Sequence, residues 1–271
     1  MKFRTVVDIP RLPFLIEPLE ELLFVGSCFA DSMGRRFAEE HFKVVANPFG
    51  VMYNPASVMH TVQKWLQLRD SQGGGVVPRI VFITLGTNHV YRLKETGQIV
   101  DNCQKRPQNL FQEEELTVAQ CADYLLQTVD ELHHRRNNVN VVLTVSPIRY
   151  AKYGFHGSQL SKATLLMATE QVCQQRSFVA YFPAFEIVLD ELRDYRFYQP
   201  DMIHPSQQAV DYIWERLSEA GFSERTKQFL HDWQPVKEAL NHKPFHPESE
   251  EYQSFLAKTK QREADLLASY G

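Results

Sequence analysis

Four residues in three short segments could carry acyl-transfer chemistry. Ser27 stands in Gly26-Ser27-Cys28, Asn88 in Gly86-Thr87-Asn88-His89, and Asp201 and His204 in Asp201-Met202-Ile203-His204-Pro205. A serine hydroxyl is a poor nucleophile until a base removes its proton, and histidine suits that task near neutral pH. The imidazole needs an acceptor that fixes its tautomer and stabilises the imidazolium. With Asp-x-x-His spacing, one tight loop can bring both side chains together. Ser27 is therefore the expected nucleophile, His204 the base and Asp201 its orienting acid. The Asn88 amide could donate to a tetrahedral oxyanion beside the backbone N–H of Ser27.

The surrounding elements place these segments at one edge of a sheet. Leu22-Leu23-Phe24-Val25 reads as a strand buried on both faces and ends at Gly26. Phe29, Met33 and Phe37 then recur every four residues, the inward stripe of a helix. Asn54-Pro55 is an N-cap followed by proline at the first helical position, ahead of Val58, Val62, Trp65 and Leu66. Ile80 to Leu85 is the clearest strand, and Val90 to Val100 reads as a hairpin turning near Thr96-Gly97. Thr117 with Gln120 forms a capping box before Cys121, Leu125, Val129 and Leu132. Val139 to Val145 and Phe178 to Phe182 are further strands, with a helix through Leu165, Thr169 and Val172 between them. Val210, Ile213, Trp214 and Leu217 form a last amphipathic helix, which Ser206 would cap.

Strands alternating with helices predict an α/β fold with a mainly parallel, doubly wound sheet. Ligands of such sheets bind at the carboxyl ends of the strands, where all three segments fall. Residues 1–221 form this domain. From residue 222 to 271 there is no strand candidate, and Pro235, Pro244 and Pro247 punctuate two polar helical stretches. That segment reads as a C-terminal helical extension, packed on the core or joining two copies as a homo-oligomer. Gly73-Gly74-Gly75 reads as a flexible surface loop.

Composition narrows the partners. The 29 Lys plus Arg against 33 Asp plus Glu give a net charge of −4 with no long run of one sign, which excludes a nucleic-acid surface. No run of about 18 apolar residues occurs, so no membrane-spanning helix is expected. The stretch from Met1 through Lys2 and Phe3 to Asp8 lacks the apolar core of a signal peptide. Cys28, Cys103, Cys121 and Cys173 have neither CxxC nor zinc-ligand spacing. Free thiols and a cytoplasmic location are expected, with no metal or organic cofactor.

Bland alternatives exist for most of these residues. Ser27 could simply cap the helix that follows it. Adjacent residues leaving a strand point in opposite directions, so only one of Ser27 and Cys28 can face a pocket; Cys28 is expected to be the buried one. Ser146, ending a strand before Pro147, is expected to be structural, and the nine histidines other than His204 to be solvated. Tyr195, Phe197 and Tyr198 are expected to pack in loops and core.

Taken together, Gly26-Ser27-Cys28-Phe29-Ala30, Asn47-Pro48-Phe49-Gly50, Tyr53-Asn54-Pro55, Leu85-Gly86-Thr87, Asn102-Cys103, Ser146-Pro147, the run from Arg193 to Tyr198, and Asp201 to Pro205 resemble the GSCFA family. That family is similar to the SGNH (GDSL-type) hydrolases, and the likeness spans roughly residues 20–220. It implies a flavodoxin-like three-layer α/β/α sandwich and hydrolysis of an ester or acyl group, with an O-acetylated carbohydrate or other small acyl ester as substrate. It also implies Ser27, Asp201 and His204 as the triad, with Ser27, Gly50 and Asn88 around the oxyanion; Gly34 is the rival to Gly50. Gly26 stands where SGNH enzymes carry an acid before the serine, and His89 where they carry one after the asparagine. An acyltransferase on the same fold, or a binding protein that has lost turnover, fits the same residues.

Overall fold

A computed structural model describes residues 1, 4–73, 76–101, 103 and 106–271. Lys2 and Phe3 of the N-terminal stretch, Gly74 and Gly75 of the glycine loop, and Asn102 of the Asn-Cys motif lie outside the described residues. Strand β1 (Glu21–Gly26) leads into helix α1 (Cys28–Ala38), β2 (Lys43–Ala46), α2 (Pro55–Ser71) and β3 (Ile80–Leu85). Three antiparallel strands follow: β4 (His89–Leu93), β5 (Ile99–Val100) and β6 (Phe111–Glu115). Then come α3 (Val118–Arg135), β7 (Asn140–Val145), α4 (Gly154–Gln175), β8 (Val179–Tyr181) and the short α5 (Ala184–Glu186). Helices α6 (Gln207–Gly221), α7 (Glu224–Asn241) and α8 (Glu250–Tyr270) complete the chain.

The main sheet is parallel throughout, in the order β2-β1-β3-β7-β8. Counting only its five strands, this is the doubly wound order 2-1-3-4-5 of a flavodoxin-like fold. Alternation along each strand divides the core into two layers. Leu23, Val25, Val81 and Ile83 meet the inner faces of α2, α3 and α4. Leu22, Phe24, Ile80 and Phe82 meet α1 and α6. Aromatic rings fill this second layer: Phe24 stacks on Phe82 at 4.5 Å, and Phe37 meets Trp214 edge-on at 4.4 Å.

The expected caps are present. Asn54, Thr117 with Gln120, and Ser206 accept the first-turn N–H groups of α2, α3 and α6. Two strands go beyond the sequence reading. The edge strand β2 is only half-buried, and β6, with the sequence Phe-Gln-Glu-Glu-Glu, pairs with β4 although only its first residue is buried. The hairpin of β4 and β5 thereby becomes a three-stranded antiparallel sheet.

Phe222, expected at the start of the extension, packs with Phe37 and Trp214 in the core, and its neighbour Ser223 donates its N–H to the Ile16 carbonyl. Beyond it, Phe229, Trp233 and Val236 of α7 form a small cluster with Leu19 and the Leu266-Leu267 turn of α8. The Trp233 ring meets His41 at 4.3 Å, and Lys237 donates to Glu40. Helices α7 and α8 thus pack mainly on each other, with Leu19, Glu40 and His41 of the domain alongside, while Phe245 and Phe255 stay exposed.

Candidate active site

The turn after β1 is built around close backbone contact with β3. Register places Gly26 opposite Thr84. Gly26 has φ +136°, and a Cβ there would lie 2.0 Å from the Thr84 carbonyl oxygen, so only glycine fits. The Ser27 N–H donates to both the Thr84 carbonyl and Thr84 Oγ1, each at 2.9 Å. Ser27 Oγ shares a 2.9 Å hydrogen bond with Thr84 Oγ1 and accepts from the Phe29 N–H at 3.3 Å, capping α1. Asn47 closes the nest: its Oδ1 accepts from Gly26 N–H at 2.8 Å, and its Nδ2 donates to Asp31 at 2.7 Å.

These bonds decide which side chain of the turn faces outward. Ser27 is 0% exposed. Cys28, expected to be the buried one, is half-buried at the first residue of α1. Burial pushes the Cys28 thiol up; its own backbone N–H pulls it back, Asp31 raises it, and the Lys162 ammonium and Phe29 N–H lower it.

The loop before α6 holds the second half of the chemistry. Asp201 Oδ2 lies 2.6 Å from His204 Nδ1, while Oδ1 accepts the N–H groups of Ile203 at 2.9 Å and His204 at 3.0 Å. The His204 hydrogen bond and then those backbone donors bring the Asp201 carboxyl down to about 2. An ionised carboxylate can only accept, so Nδ1 carries the proton and Nε2 of the neutral ring presents a lone pair. The ring is 41% exposed. Met202, at φ +57°, bends the loop, and the Arg149 N–H donates to the Ile203 carbonyl at 3.0 Å, tying it to the exit of β7. Among the described residues no hydrogen bond joins Ser27 to His204.

The expected oxyanion donors are engaged by other partners in this structure. Ser27 N–H is spent on Thr84, and the Gly50 N–H donates to the Asn47 carbonyl at 2.8 Å. Asn88 is buried; its amide donates to the Leu116 carbonyl at 2.8 Å, and its Oδ1 is buried without a partner. The rival Gly34 lies within α1, packed against Ala46 and Val44 of β2.

Other residues also differ from the sequence reading. His89 is buried and stacks on Tyr153 at 3.6 Å, and burial lowers its pKa. Tyr195, expected to pack, is 67% exposed. Together with Phe155, Tyr198 and Phe185 it lines a cavity of about 290 Å³, over which the Arg149 guanidinium stacks on Phe155 at 4.1 Å. Neither Ser27 nor the Asp201–His204 pair lines this cavity, but Ile148, Arg149 and Lys162 do.

Lys162 is the residue that sequence reasoning missed. Its side chain is wholly enclosed, and Nζ donates to the carbonyls of Gly86 and Ser146, each at 2.8 Å, where β3 and β7 end. Burial lowers its pKa to about 7. A signal was present: Lys162 falls on the inward stripe with Leu165, Thr169 and Val172 at helical spacing, an unusual place for a lysine. Among the described residues no group of three or more His, Cys, Asp or Glu could hold a metal ion, and no helix is long and apolar enough to cross a membrane.

The model of the GSCFA family matches residues 21–75 and 76–217, and that of the GSCFA domain protein C-terminal domain matches residues 233–270. The chain belongs to the GSCFA family. No curated protein matches this GSCFA chain. Among solved structures it is similar to a member of the lipolytic protein G-D-S-L family from Veillonella parvula: 11% identity over 73% of this chain and 96% of that one, TM-score 0.46. A carbohydrate esterase family 3 structure from Talaromyces cellulolyticus shows 11% identity, 74% and 95% coverage, and TM-score 0.44. A catalytic mutant of an acetylxylan esterase from Geobacillus stearothermophilus shows 16% identity, 77% and 97% coverage, and TM-score 0.44. The GSCFA turn, Gly26 to Ala30, is the join between β1 and α1 described above.

Proposed function

We propose that this GSCFA protein is an acyl-ester hydrolase whose general base is His204, held by Asp201, and whose nucleophile comes from the Gly26–Cys28 turn. The observation that carries the reading is the 2.6 Å contact between Asp201 Oδ2 and His204 Nδ1, on a loop at the carboxyl edge of the sheet. A carboxylate that remains ionised fixes the tautomer in which Nε2 is free to take a proton. The base removes the nucleophile's proton, the nucleophile attacks the ester carbonyl, and the protonated imidazole returns the proton to the departing alkoxide. Water, activated by the same histidine, then releases the acid.

The substrate is a small acyl ester, with an O-acetylated carbohydrate as the favoured case. The nearby cavity supports this: about 290 Å³ walled by Phe185, Val188 and Leu189 suits a short apolar group, and the exposed Tyr195 and Phe155 offer faces on which a sugar ring can stack. The test is hydrolysis of p-nitrophenyl acetate and of acetylated xylan by the parent and by His204→Ala. Activity that depends on His204 is expected; equal rates in both proteins would sink the hydrolase reading.

A further inference from the structure

We propose that Cys28, not Ser27, is the nucleophile, so that the reaction runs through a thioester on the first residue of α1. This rests on the hydrolase reading above and names the atom that reading leaves open. Three observations carry it.

The first is direction. A nucleophilic hydroxyl must turn its proton toward the base and its lone pair toward the substrate. Ser27 Oγ is instead enclosed between Thr84 Oγ1 at 2.9 Å and the Phe29 N–H at 3.3 Å, with no exposed surface. Its backbone is held in place, because the Ser27 N–H is bonded to both Thr84 oxygens on the neighbouring strand. The side chain of the turn that remains partly exposed is Cys28.

The second is the field at that sulfur. Cys28 opens an eleven-residue helix, and its own N–H and that of Phe29 face the thiol. A thiolate there gains from these donors, the Phe29 N–H being shared with Ser27 Oγ, and from the positive end of the helix.

The third is Lys162, buried at the same edge of the sheet and close enough to Cys28 to favour its thiolate. Two of its three N–H donors go to Gly86 and Ser146; among the described residues the third has no acceptor. Lys162 also lines the cavity, so the same buried amine borders the space for an acyl group. Burial and Asp31 oppose ionisation, so the thiol is not a standing thiolate, and a base is needed to take its proton. The Asp201–His204 pair supplies one.

The step balances without an outside reagent. The Cys28 proton passes to His204 Nε2 as the sulfur bonds to the acyl carbon. The tetrahedral intermediate then breaks its bond to the alkoxide, which leaves with that proton. Water adds to the thioester, giving its proton to His204, and the acid departs as the thiol is restored.

The experiment is acid quenching of the full chain during turnover of p-nitrophenyl acetate, followed by peptide mapping. The acetyl group should be found on Cys28, be removed by neutral hydroxylamine as a thioester, and be missing in His204→Ala. Cys28→Ala should lower kcat/KM by about a thousandfold or more. Cys28→Ser should carry a hydroxylamine-resistant ester at the same position, and folded Ser27→Ala should keep the Cys28 adduct. Should Ser27→Ala not fold, the adduct map of the unmodified sequence decides alone. An acetyl group on Ser27 that vanishes in His204→Ala would overturn the cysteine and leave the hydrolase. A folded protein that neither turns over nor acetylates either residue would remove both readings.

Discussion

The two loops that carry the candidate catalytic residues are stabilised in opposite ways. The loop from Gln199 to Pro205 organises itself: Asp201 binds the backbone of Ile203 and His204 and the His204 ring, all within three residues. The Gly26–Cys28 turn is organised from afar, by Thr84, 57 residues from Ser27, and Asn47, 21 residues from Gly26. The first loop leaves its functional ring exposed and its chemistry independent of packing. The second hides its most polar side chain in the interior and makes its exposed side chain a consequence of how two strands pair. Chemistry and stability are therefore separable at this site, and substitutions should divide accordingly.

The largest effect should fall on the exposed loop. His204→Ala is expected to lower kcat/KM by about 10²–10⁴-fold while changing stability by only about 0.5 kcal/mol. A large loss of melting temperature, tracking the loss of rate, would erase the distinction between the loops. Asp201→Asn should cost roughly a hundredfold in kcat/KM, since an amide no longer fixes the tautomer or stabilises the imidazolium formed during reaction. The same variant has a stability signature. The folded Asp201 carboxyl sits at about 2 against an ordinary 3.8, so its contribution is present above about pH 4 and lost as pH falls toward 2. Thermal melts of the parent and Asp201→Asn should therefore converge as the pH is lowered through that window.

In the buried turn the expectation reverses. Ser27→Ala should destabilise the fold by about 1–3 kcal/mol, through the lost helix cap and the broken bond to Thr84, while the folded fraction keeps most of its activity. Urea denaturation alongside initial rates would show it, and full stability without activity would favour Ser27 as nucleophile. The last effect is a slope. Lys162 titrates at about 7 when folded against 10.5 when free, so the unfolded chain binds the extra proton between those values and the lysine makes stability rise with pH across that range. Lys162→Met should flatten that part of the stability profile; an unchanged slope would mean that the lysine is not enclosed.

The same contrast explains what could be read from the residues alone. Asp-x-x-His spacing encodes the 201–204 pair because both partners lie in one short loop, and the buried runs at Ile80 and Val139 declared their strands by composition. The direction of Ser27 was not legible, because it depends on a threonine in another strand and on a register that places Gly26 opposite it. Strand β6 was hidden by three consecutive glutamates, which break the apolar alternation of a strand, and β2 by its length of four residues. Lys162 was hidden by its own residue type. A charge on an inward stripe looks like an error in the stripe until two strand-end carbonyls are found beside it.

The reach of the Ser27–Thr84 contact has a consequence for the order of events during folding. A loop closed over three residues can form early, while a contact across 57 residues must wait for β1 and β3 to align. A chain partway through folding would thus hold a competent base beside an unformed nucleophile turn. It could not attack esters, or trap itself as a stray thioester, before the sheet is complete. Recovery of activity on dilution from denaturant should accordingly lag the collapse of the aromatic core and keep time with β1–β3 pairing.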